Sequence, residues 1–267
     1  MGLVTAALGA LGYWEYLSLF SGRTRAREQK IEGAAADSTL APGLPLALLL
    51  GALPGLGTLS GTSQGLAAGL FASVFLAASL LLLRAPGSRA APPKQDNTDP
   101  LTAAGLGMTL GGLVLIPWLV GHGALLMYQP GGRFLLAVLV LVLVANDTLA
   151  YFTGSLLGRV KLAPAISPNK TLEGSLGGLA GGMLVGWAAG FSPAAAAAGL
   201  SSSWLLAAGA LLAAAGQAGD LIESRIKRIN GAKDSGVFLP GHGGVLDRLD
   251  AFLLASPLMY YLLWLQG

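Results

Sequence analysis

The stretch FLLAVLVLVLVANDTLAYFTGSLL (Phe134–Leu157) decides the class of fold, because its 24 residues carry one charged side chain, Asp147. A helix needs about 20 apolar residues to cross the hydrocarbon core of a bilayer, and this stretch is long enough. The whole chain has the same character: 54% of its 267 residues are hydrophobic, 11% are charged, and the mean hydropathy is +0.66. A soluble domain carries about a quarter of its residues as charged ones. The sequence therefore predicts an all-α, polytopic transmembrane helical bundle.

Eight segments are apolar over a length that can span the bilayer. They are residues 2–20, 41–60, 64–83, 101–120, 134–157, 174–191, 197–219 and 245–265. Of the 16 Lys and Arg residues, 15 fall in or just beside the loops of one side, which are 21–40, 84–100, 158–173 and 220–244. Because short loops rich in Lys and Arg stay in the cytoplasm, we expect these loops to be cytoplasmic and both termini to face outward.

The Pro- and Gly-rich stretch at 85–100 has the composition of a flexible linker and predicts a division into two parts. Residues 1–100 form an N-terminal transmembrane part of three spans and the linker. Residues 101–267 form a second part of five spans, which holds the polar clusters in the loops 158–173 and 220–244. The chain has no cysteine, which excludes disulfides. Its basic residues lie in loops between spans and not on one soluble face, so we expect no nucleic-acid binding.

Glycines recur every fourth residue along one predicted span, at Gly174, Gly178, Gly182, Gly186 and Gly190. Lipid provides no hydrophobic drive between helices, so membrane helices associate through close backbone contact, which such a row of small residues allows. The ladder therefore predicts helix packing, with a lipid entry groove as the less favoured interpretation. It leaves open whether the packing is within one chain or in a homodimer.

The densest cluster of charge is DLIESRIKRINGAKDSGVFLPGHGGVLDRLD (Asp220–Asp250), with five acidic and five basic residues between two apolar spans. Charge placed there is costly in free energy and indicates a function. If the preceding helix continues into this segment, one of its faces carries Asp220, Glu223, Ser224 and Lys227, with Arg228 at the edge. Carboxylates bind divalent cations and Lys or Arg neutralises phosphates, so this face predicts a metal and phosphate site. A solvated helix with i,i+4 ion pairs is the alternative.

Two Gly-rich stretches follow, Lys233–Gly236 and Pro240–Gly244, whose backbone amides can approach an anion closely. Three charged residues then open the last span: Asp247, Arg248 and Asp250. Asp220 and Asp247 thus lie at the cytoplasmic ends of two consecutive spans. Two facing helix ends can place these carboxylates around one Mg²⁺.

A second polar cluster begins inside the fifth predicted span with Asn146-Asp147-Thr148. An ionisable residue such as Asp147 within a span indicates a function, although a structural hydrogen bond is a close alternative. The loop Ile166–Gly174 follows, and it offers two hydroxyl groups, a cation and an acid: Ser167, Thr171, Lys170 and Glu173. Ser167 or Thr171 can equally cap the next helix.

These segments resemble one family. Ser224–Asp250 resembles the signature S-x-x-K-R-x4-K-D-x-G-x2-[LI]-P-G-H-G-G-x-x-D-R-x-D of phosphatidate cytidylyltransferases, also called CDP-diacylglycerol synthases. Asn146–Gly174 resembles D-S-x-A-Y-x-x-G-x-x-x-G-K…L-x-P-x-I-S-P-x-K-T-x-E-G of the same family, with Thr148-Leu149 in place of the usual Ser-Gly. The match covers the back half of the chain, and the front three spans match by hydropathy alone. Family members usually have one more helix before the one that starts here at Met1.

The resemblance implies an inner-membrane enzyme of phospholipid biosynthesis that converts CTP and phosphatidate into CDP-diacylglycerol and pyrophosphate at the cytoplasmic side. It implies Mg²⁺ as cofactor, with K⁺ implicated beside it, and it places the family's metal-binding aspartates on Asp220 and Asp247. Lys227 and Lys233 join them as predicted catalytic residues. The clusters and the resemblance together predict substrate binding by Ser167, Lys170, Thr171, Glu173, Ser224, Arg228, Asp234, His242, Gly243, Arg248, Asp250 and Asp147.

Two other functions stay open from the sequence. One is a CTP-dependent enzyme that acts on another lipid, such as an ether-lipid phosphate or a polyprenol, because an apolar groove does not distinguish lipid tails. The other is a transporter, for which Asp147 and the glycine ladder are suitable. Against a transporter, the polar residues cluster at one membrane face, whereas transporter sites lie near the midplane.

Overall fold

The computed structural model describes residues 1–20, 44–83, 103–232, 234–236 and 244–266. The helices in these ranges are α1 (Gly2–Phe20), α2 (Leu44–Gly57), α3 (Ser63–Leu83), α4 (Ala103–Leu113), α5 (Leu119–Leu126), α6 (Gly132–Leu157), α7 (Leu172–Ala189), α8 (Pro193–Ala197), α9 (Ser202–Ile229) and α10 (Leu246–Trp264). A 3₁₀ turn (Thr58–Ser60) follows α2, and a π-helical turn (Val114–Trp118) joins α4 to α5. Two short strands, β1 (Lys161–Ala163) and β2 (Ser167–Thr171), form an antiparallel hairpin.

The predicted all-α membrane fold is confirmed. Within the described ranges, five helical segments are long and apolar enough to cross a membrane: Gly2–Phe20, Ser63–Leu80, Gly107–Leu126, Gly132–Leu157 and Ser202–Ile229. A shorter apolar segment, Pro45–Ser60, and the helices α7 and α10 overlap the other three predicted spans. The count of eight spans stays a prediction, as does the orientation of the loops.

Two local features differ from the expected spans and loops. The helix of the seventh span does not end near residue 219 but continues as α9 to Ile229. The continuation of this helix into the acidic segment, on which the predicted face of Asp220, Glu223, Ser224 and Lys227 depends, is therefore confirmed. The loop 158–173 contains the β1–β2 hairpin, in which Lys161 pairs with Thr171 and Ala163 with Ser167.

The π-helical turn contains Pro117, which has no N–H for the regular helical hydrogen bond, so the turn widens there.

The described chain falls into two compact units. The first comprises Met1–Gly121 and Ile229–Asp247, and the second comprises His122–Arg228 and Arg248–Gly267. The predicted division after residue 100 stays a prediction, because the linker itself lies outside the described residues.

In the first unit, α1 and α2 approach at backbone contact. A Cβ atom on Gly9 would lie 2.8 Å from the carbonyl oxygen of Gly51, and one on Gly51 would lie 2.7 Å from Ala10 Cα. Small residues allow this approach, which is how helices pack where lipid surrounds them. Tyr13, fully buried, donates its hydroxyl to the carbonyl of Thr109 at 3.1 Å and so fastens α1 to α4.

In the second unit, α7 packs between α6 and α9 along the glycine ladder. A Cβ on Gly182 would lie 2.7 Å from both the Gly209 carbonyl oxygen and Ala213 Cβ on α9. A Cβ on Gly178 would lie 2.5 Å from Asn146 Oδ1 on α6. The packing interpretation of the ladder is therefore confirmed, and these contacts lie within one chain. The homodimer stays a prediction.

We expect Gly186→Ala to destabilise the fold, because its new methyl group would collide with the Leu205 carbonyl group across the α7–α9 contact. Overpacking of this kind lowers the free energy of unfolding by about 1–3 kcal/mol. The matched control is Gly111→Ala, since a Cβ there meets no atom within 4 Å. Unfolding in mixed micelles with increasing SDS compares the two variants. Equal stability of both would contradict the contact.

Candidate active site

A pocket of about 450 Å³ lies between α6, the β1–β2 hairpin, α7 and α9 of the second unit. Its polar lining includes Asn146, Asp147, Lys170, Ser175, Gln217 and Asp220. Three helices and the hairpin therefore bring polar side chains to the wall of one cavity. Four of the predicted site residues, Asp147, Lys170, Thr171 and Asp220, line this pocket together, so the structure brings members of both polar clusters to one cavity.

Three carboxylates come together at one end of this unit. Asp220 and Glu223 lie one turn apart on α9, Asp250 lies on α10, and one oxygen from each is within 4.8 Å of the others. Glu223 is 2% exposed, whereas the Asp220 side chain is 33% exposed. Carboxylate oxygens at this spacing are the ligands that a hard divalent cation takes. The donor set of this acidic cluster therefore fits such a cation.

Lysines face two of the three acids. Lys170 Nζ pairs with Asp220 Oδ2, and Lys227 Nζ lies 2.7 Å from Glu223 Oε2. Ser224 donates its hydroxyl to Asp220 Oδ1 at 3.2 Å. The acid–base alternation noted in the sequence thus becomes an arrangement in which carboxylates and ammonium groups lie side by side.

The hairpin delivers Lys170 to the acidic cluster because both of its ends are fastened. At the end of β2, Thr171 Oγ1 accepts from the Gly174 N–H at 3.1 Å and caps α7, so the capping alternative for Thr171 is confirmed. At the start of the hairpin, the Val160 N–H donates to Glu173 at 3.2 Å. Hydrogen bonds from its own backbone N–H, and then from those of Arg159 and Val160, lower the pKa of Glu173. Glu173 is thus ionised at neutral pH and holds the hairpin.

A chain of hydrogen bonds crosses the unit in the wall of the pocket. Ser175 Oγ donates to Gln217 Oε1, and Gln217 Nε2 donates to Asn146 Oδ1 at 2.7 Å and to the Ser175 carbonyl at 3.0 Å. Asn146 Nδ2 then donates to Asp147 Oδ1 at 2.9 Å. The amide chain Ser175–Gln217–Asn146 therefore connects α7, α9 and α6 and ends on the Asp147 carboxylate.

In the first unit, a separate network surrounds Asp247. Its carboxylate accepts from the Ser235 N–H at 3.0 Å, from the Ser235 hydroxyl at 2.9 Å and from the Gly244 N–H at 2.8 Å. Ser235 Oγ also lies 3.4 Å from Glu15 Oε2, and the Leu246 N–H donates to the same oxygen at 2.8 Å. Asp247 is thus held by three donors beside a buried glutamate of α1.

The remaining predicted site residues lie elsewhere. Ser167 begins β2, and Arg228 at the end of α9 donates from Nε to the Ile166 carbonyl at 3.4 Å. Asp234 belongs to the first unit and Arg248 to the second. Lys233, His242 and Gly243 lie outside the described residues. The pairing of Asp220 with Asp247 around one cation, and the roles assigned to single residues, stay predictions.

Gln217 and Glu15 are among the residues of these networks that were not predicted as site residues. Both are polar side chains inside apolar predicted spans, and an intramembrane polar residue is by itself a signal of function or structural bonding. Neither belongs to a motif, so their partners could not be read from spacing.

Comparison with known proteins shows the family to which the chain belongs. The chain matches the cytidylyltransferase family over residues 1–266 and therefore belongs to it. It is 45% identical over 122 residues to the phosphatidate cytidylyltransferase of Bacillus subtilis (strain 168). The aligned residues make up 46% of this chain and 44% of that protein. It is 42% identical over 151 residues to the phosphatidate cytidylyltransferase of Staphylococcus aureus (strain COL), and the aligned residues make up 54% of this chain and 55% of that protein. It is 37% identical over 157 residues to the uncharacterized protein YnbB of Escherichia coli (strain K12), and the aligned residues make up 56% of this chain and 51% of that protein.

The resemblance predicted from the two motifs is confirmed at the level of this family. The chain spans about half the length of the curated relatives it matches. Membership in the family does not favour the transporter alternative.

We expect Gln217→Met to destabilise the second unit, because methionine keeps the size of the side chain but leaves Asn146 Oδ1 and the Ser175 hydroxyl without their partner. A buried polar group that loses its partner costs about 1–3 kcal/mol. Gln266→Met is the matched control, since Gln266 is exposed and makes one long bond to Gly199. Thermal unfolding in detergent should show a lower midpoint for Gln217→Met alone. A similar midpoint for both variants would argue against the amide chain.

Proposed function

We propose that this protein is a phosphatidate cytidylyltransferase, which converts CTP and phosphatidate into CDP-diacylglycerol and pyrophosphate. One observation carries the proposal: the three carboxylates of Asp220, Glu223 and Asp250 gather within 4.8 Å, with Lys170 and Lys227 paired to two of them. Reactions of nucleoside triphosphates need a bound divalent cation together with cationic side chains for the phosphates. Family membership and the names of the relatives support the same reaction.

The reaction needs little covalent help from the protein. An ionised phosphate oxygen of phosphatidate attacks the α-phosphorus of CTP, the bond from that phosphorus to the bridging oxygen breaks, and pyrophosphate leaves with the electron pair. The nucleophile is already ionised, so no general base is required. Catalysis is then the positioning of two phosphate groups and the neutralisation of their charge.

The acidic cluster would hold the divalent cation, which we take to be Mg²⁺, through Asp220, Glu223 and Asp250. The sequence adds Asp247 as a further candidate ligand, and the resemblance to the family implies K⁺ as a second ion beside the first. When bound, the cation neutralises nucleotide phosphate oxygens and polarises the phosphorus that is attacked.

The lysines of the site would neutralise the remaining oxyanions. Lys170 and Lys227 have their ammonium groups beside the carboxylates that would hold the cation. Arg228 follows Lys227 directly, at the end of the same helix, and is a candidate for a phosphate farther along the nucleotide. Asp147, at the end of the amide chain, lies in the wall of the pocket, where its carboxylate can accept hydrogen bonds from nucleotide hydroxyl or amino groups.

Apolar side chains beside the pocket would contact the lipid. Tyr151 lines the pocket and is 71% exposed, and Leu156 farther along α6 is 78% exposed. Exposed apolar residues on a transmembrane helix face lipid tails, so acyl chains can remain in the bilayer while the headgroup enters the polar site. The loops 158–173 and 220–244 belong to the set that carries 15 of the 16 Lys and Arg residues. This excess supports a site at the cytoplasmic face of the inner membrane.

We expect Asp220→Asn and Asp250→Asn each to reduce CDP-diacylglycerol formation about a hundredfold or more, because a cation at developing charge contributes several kcal/mol. The measurement is incorporation of labelled CTP into lipid by the purified protein across a range of Mg²⁺ concentrations. Asp96→Asn, in the predicted linker, is the matched control and should keep the wild-type rate. A near-normal rate for Asp220→Asn would remove the metal assignment, and Asp247→Asn tests the sequence-based candidate in the same assay.

A panel of substrates separates the proposed reaction from its alternatives. We expect CTP with phosphatidate to give product at a rate well above CTP with an ether-lipid phosphate or with a polyprenyl phosphate. The same protein in liposomes should show no CTP-independent flux of ions. Faster turnover of a polyprenyl phosphate would reassign the lipid but keep the enzyme class, whereas flux without nucleotide incorporation would reject the class itself.

A further inference from the structure

The buried glutamate of the first helix, Glu15, is an unusual feature of a span that has no other charged residue. Its side chain lies in α1 and the residue is 1% exposed. A carboxylate in such a place is costly unless donors compensate it. The compensation comes from a segment more than two hundred positions away in the sequence, since the Leu246 N–H donates to Glu15 Oε2 at 2.8 Å.

Leu246 is the first residue of α10, so its N–H has no acceptor within the helix. A helix N-terminus also carries partial positive charge, which attracts a carboxylate. Helices usually obtain this acceptor from a neighbouring Ser, Thr, Asp or Asn of their own chain segment. Here the acceptor comes from another helix, α1.

Two glycines make room for the carboxylate. A Cβ atom on Gly236 would lie 2.7 Å from Glu15 Oε1, and one on Gly244 would lie 2.5 Å from Glu15 Oε2. Both distances are shorter than real Cβ contacts, so a side chain at either position would displace the glutamate. Gly236 and Gly244 thus leave the space that the Glu15 carboxylate occupies.

The same ends hold Asp247. Ser235 donates its N–H and its hydroxyl to the Asp247 carboxylate, and the Gly244 N–H donates to it at 2.8 Å. Ser235 Oγ lies between the two acids, 2.9 Å from Asp247 Oδ2 and 3.4 Å from Glu15 Oε2. A shift of Glu15 would therefore move the donors that orient Asp247.

We propose that Glu15 is a positioning residue of the active site: through the Leu246 N–H and the glycine cradle of Gly236 and Gly244, it fixes Ser235 and Gly244, the donors that orient the Asp247 carboxylate. The proposal rests on the proposed function, in which Asp247 is a candidate ligand of the divalent cation. It gives the first helix a part in catalysis that no motif indicates.

The test compares Glu15→Ala, which removes the acceptor, with Glu15→Gln, whose amide oxygen can still accept from the Leu246 N–H. Loss of a residue that orients a metal ligand typically costs 10- to 100-fold in metal affinity or activity, so we expect Glu15→Ala to raise the half-saturating Mg²⁺ concentration about tenfold or more. Glu15→Gln should stay within a few-fold of wild type. Thr5→Val is the control, because Thr5 is buried on the same helix and its hydroxyl bonds within its own turn, to the Met1 carbonyl.

A second readout is independent of catalysis. In the metal-free protein, Glu15→Ala should speed hydrogen exchange at the Ser235, Gly244 and Leu246 amides, while exchange in α1, α2 and α4 stays as in wild type. Gly236→Ala should reproduce both effects, because the three atoms nearest to its methyl group would all be Glu15 atoms, with Oε1 at 2.7 Å, and the group would displace the carboxylate. This variant carries the test if Glu15→Ala does not fold. Unchanged Mg²⁺ dependence and unchanged exchange at these amides would overturn the proposal, as would faster exchange throughout the unit.

The outcomes separate this proposal from the proposed function. A wild-type protein that makes no CDP-diacylglycerol would reject the function, and the exchange measurement would still show whether Glu15 fixes Ser235 and Gly244. An active wild-type protein with a Glu15→Ala variant that has normal Mg²⁺ dependence would reject the positioning role alone.

Discussion

An ionised carboxylate is stable inside an apolar helical bundle only where cations or hydrogen-bond donors surround it. This constraint determines which cations and hydrogen-bond donors lie beside each buried acidic side chain. Asp220 and Glu223 have lysines beside them, Lys170 and Lys227, whereas Glu15 is held by the N-terminus of α10 through the Leu246 N–H. The two solutions differ in what they permit. A lysine can change partners when phosphates arrive, but a backbone N–H at a helix end stays in place, so the first solution is appropriate for binding and the second for holding a segment.

Close helix packing at glycine residues also brings polar side chains together. The sequence offered packing and a functional groove as separate interpretations of the ladder on α7. In the structure, Gly178 lies against Asn146 on α6 and against Gln217 on α9, so backbone contact is what lets these two amides meet. A larger residue at this position would separate the helices and break the chain that ends on Asp147. The ladder therefore packs the helices and, by the same contacts, builds the wall of the pocket.

The parts predictable from the sequence are those that depend on local pattern. Apolar run length located the helices, and the face formed by Asp220, Glu223 and Lys227 followed once α9 continued to Ile229. The hairpin was not predicted, because its strands have three and five residues and a loop of Pro and polar residues shows no strand periodicity. Gln217 and Glu15 were missed for another reason: their partners lie 71 and 231 positions away, and a single polar residue in an apolar helix does not indicate its partner.

The pairing of lysines with the acids of the site has a consequence for the energetics of the proposed reaction. A buried charge without a partner costs several kcal/mol, so a site that held only acids or only lysines would be unstable before substrate binds. With Lys170 on Asp220 and Lys227 on Glu223, both lysines and two of the three carboxylates of the acidic cluster have a partner in the free protein. A nucleotide brings phosphate oxygens and its cation together, so each lysine can exchange a carboxylate for a phosphate oxygen as each carboxylate gains the cation. Charge stays balanced through the exchange, and the free energy of binding is not spent on desolvating an isolated ion.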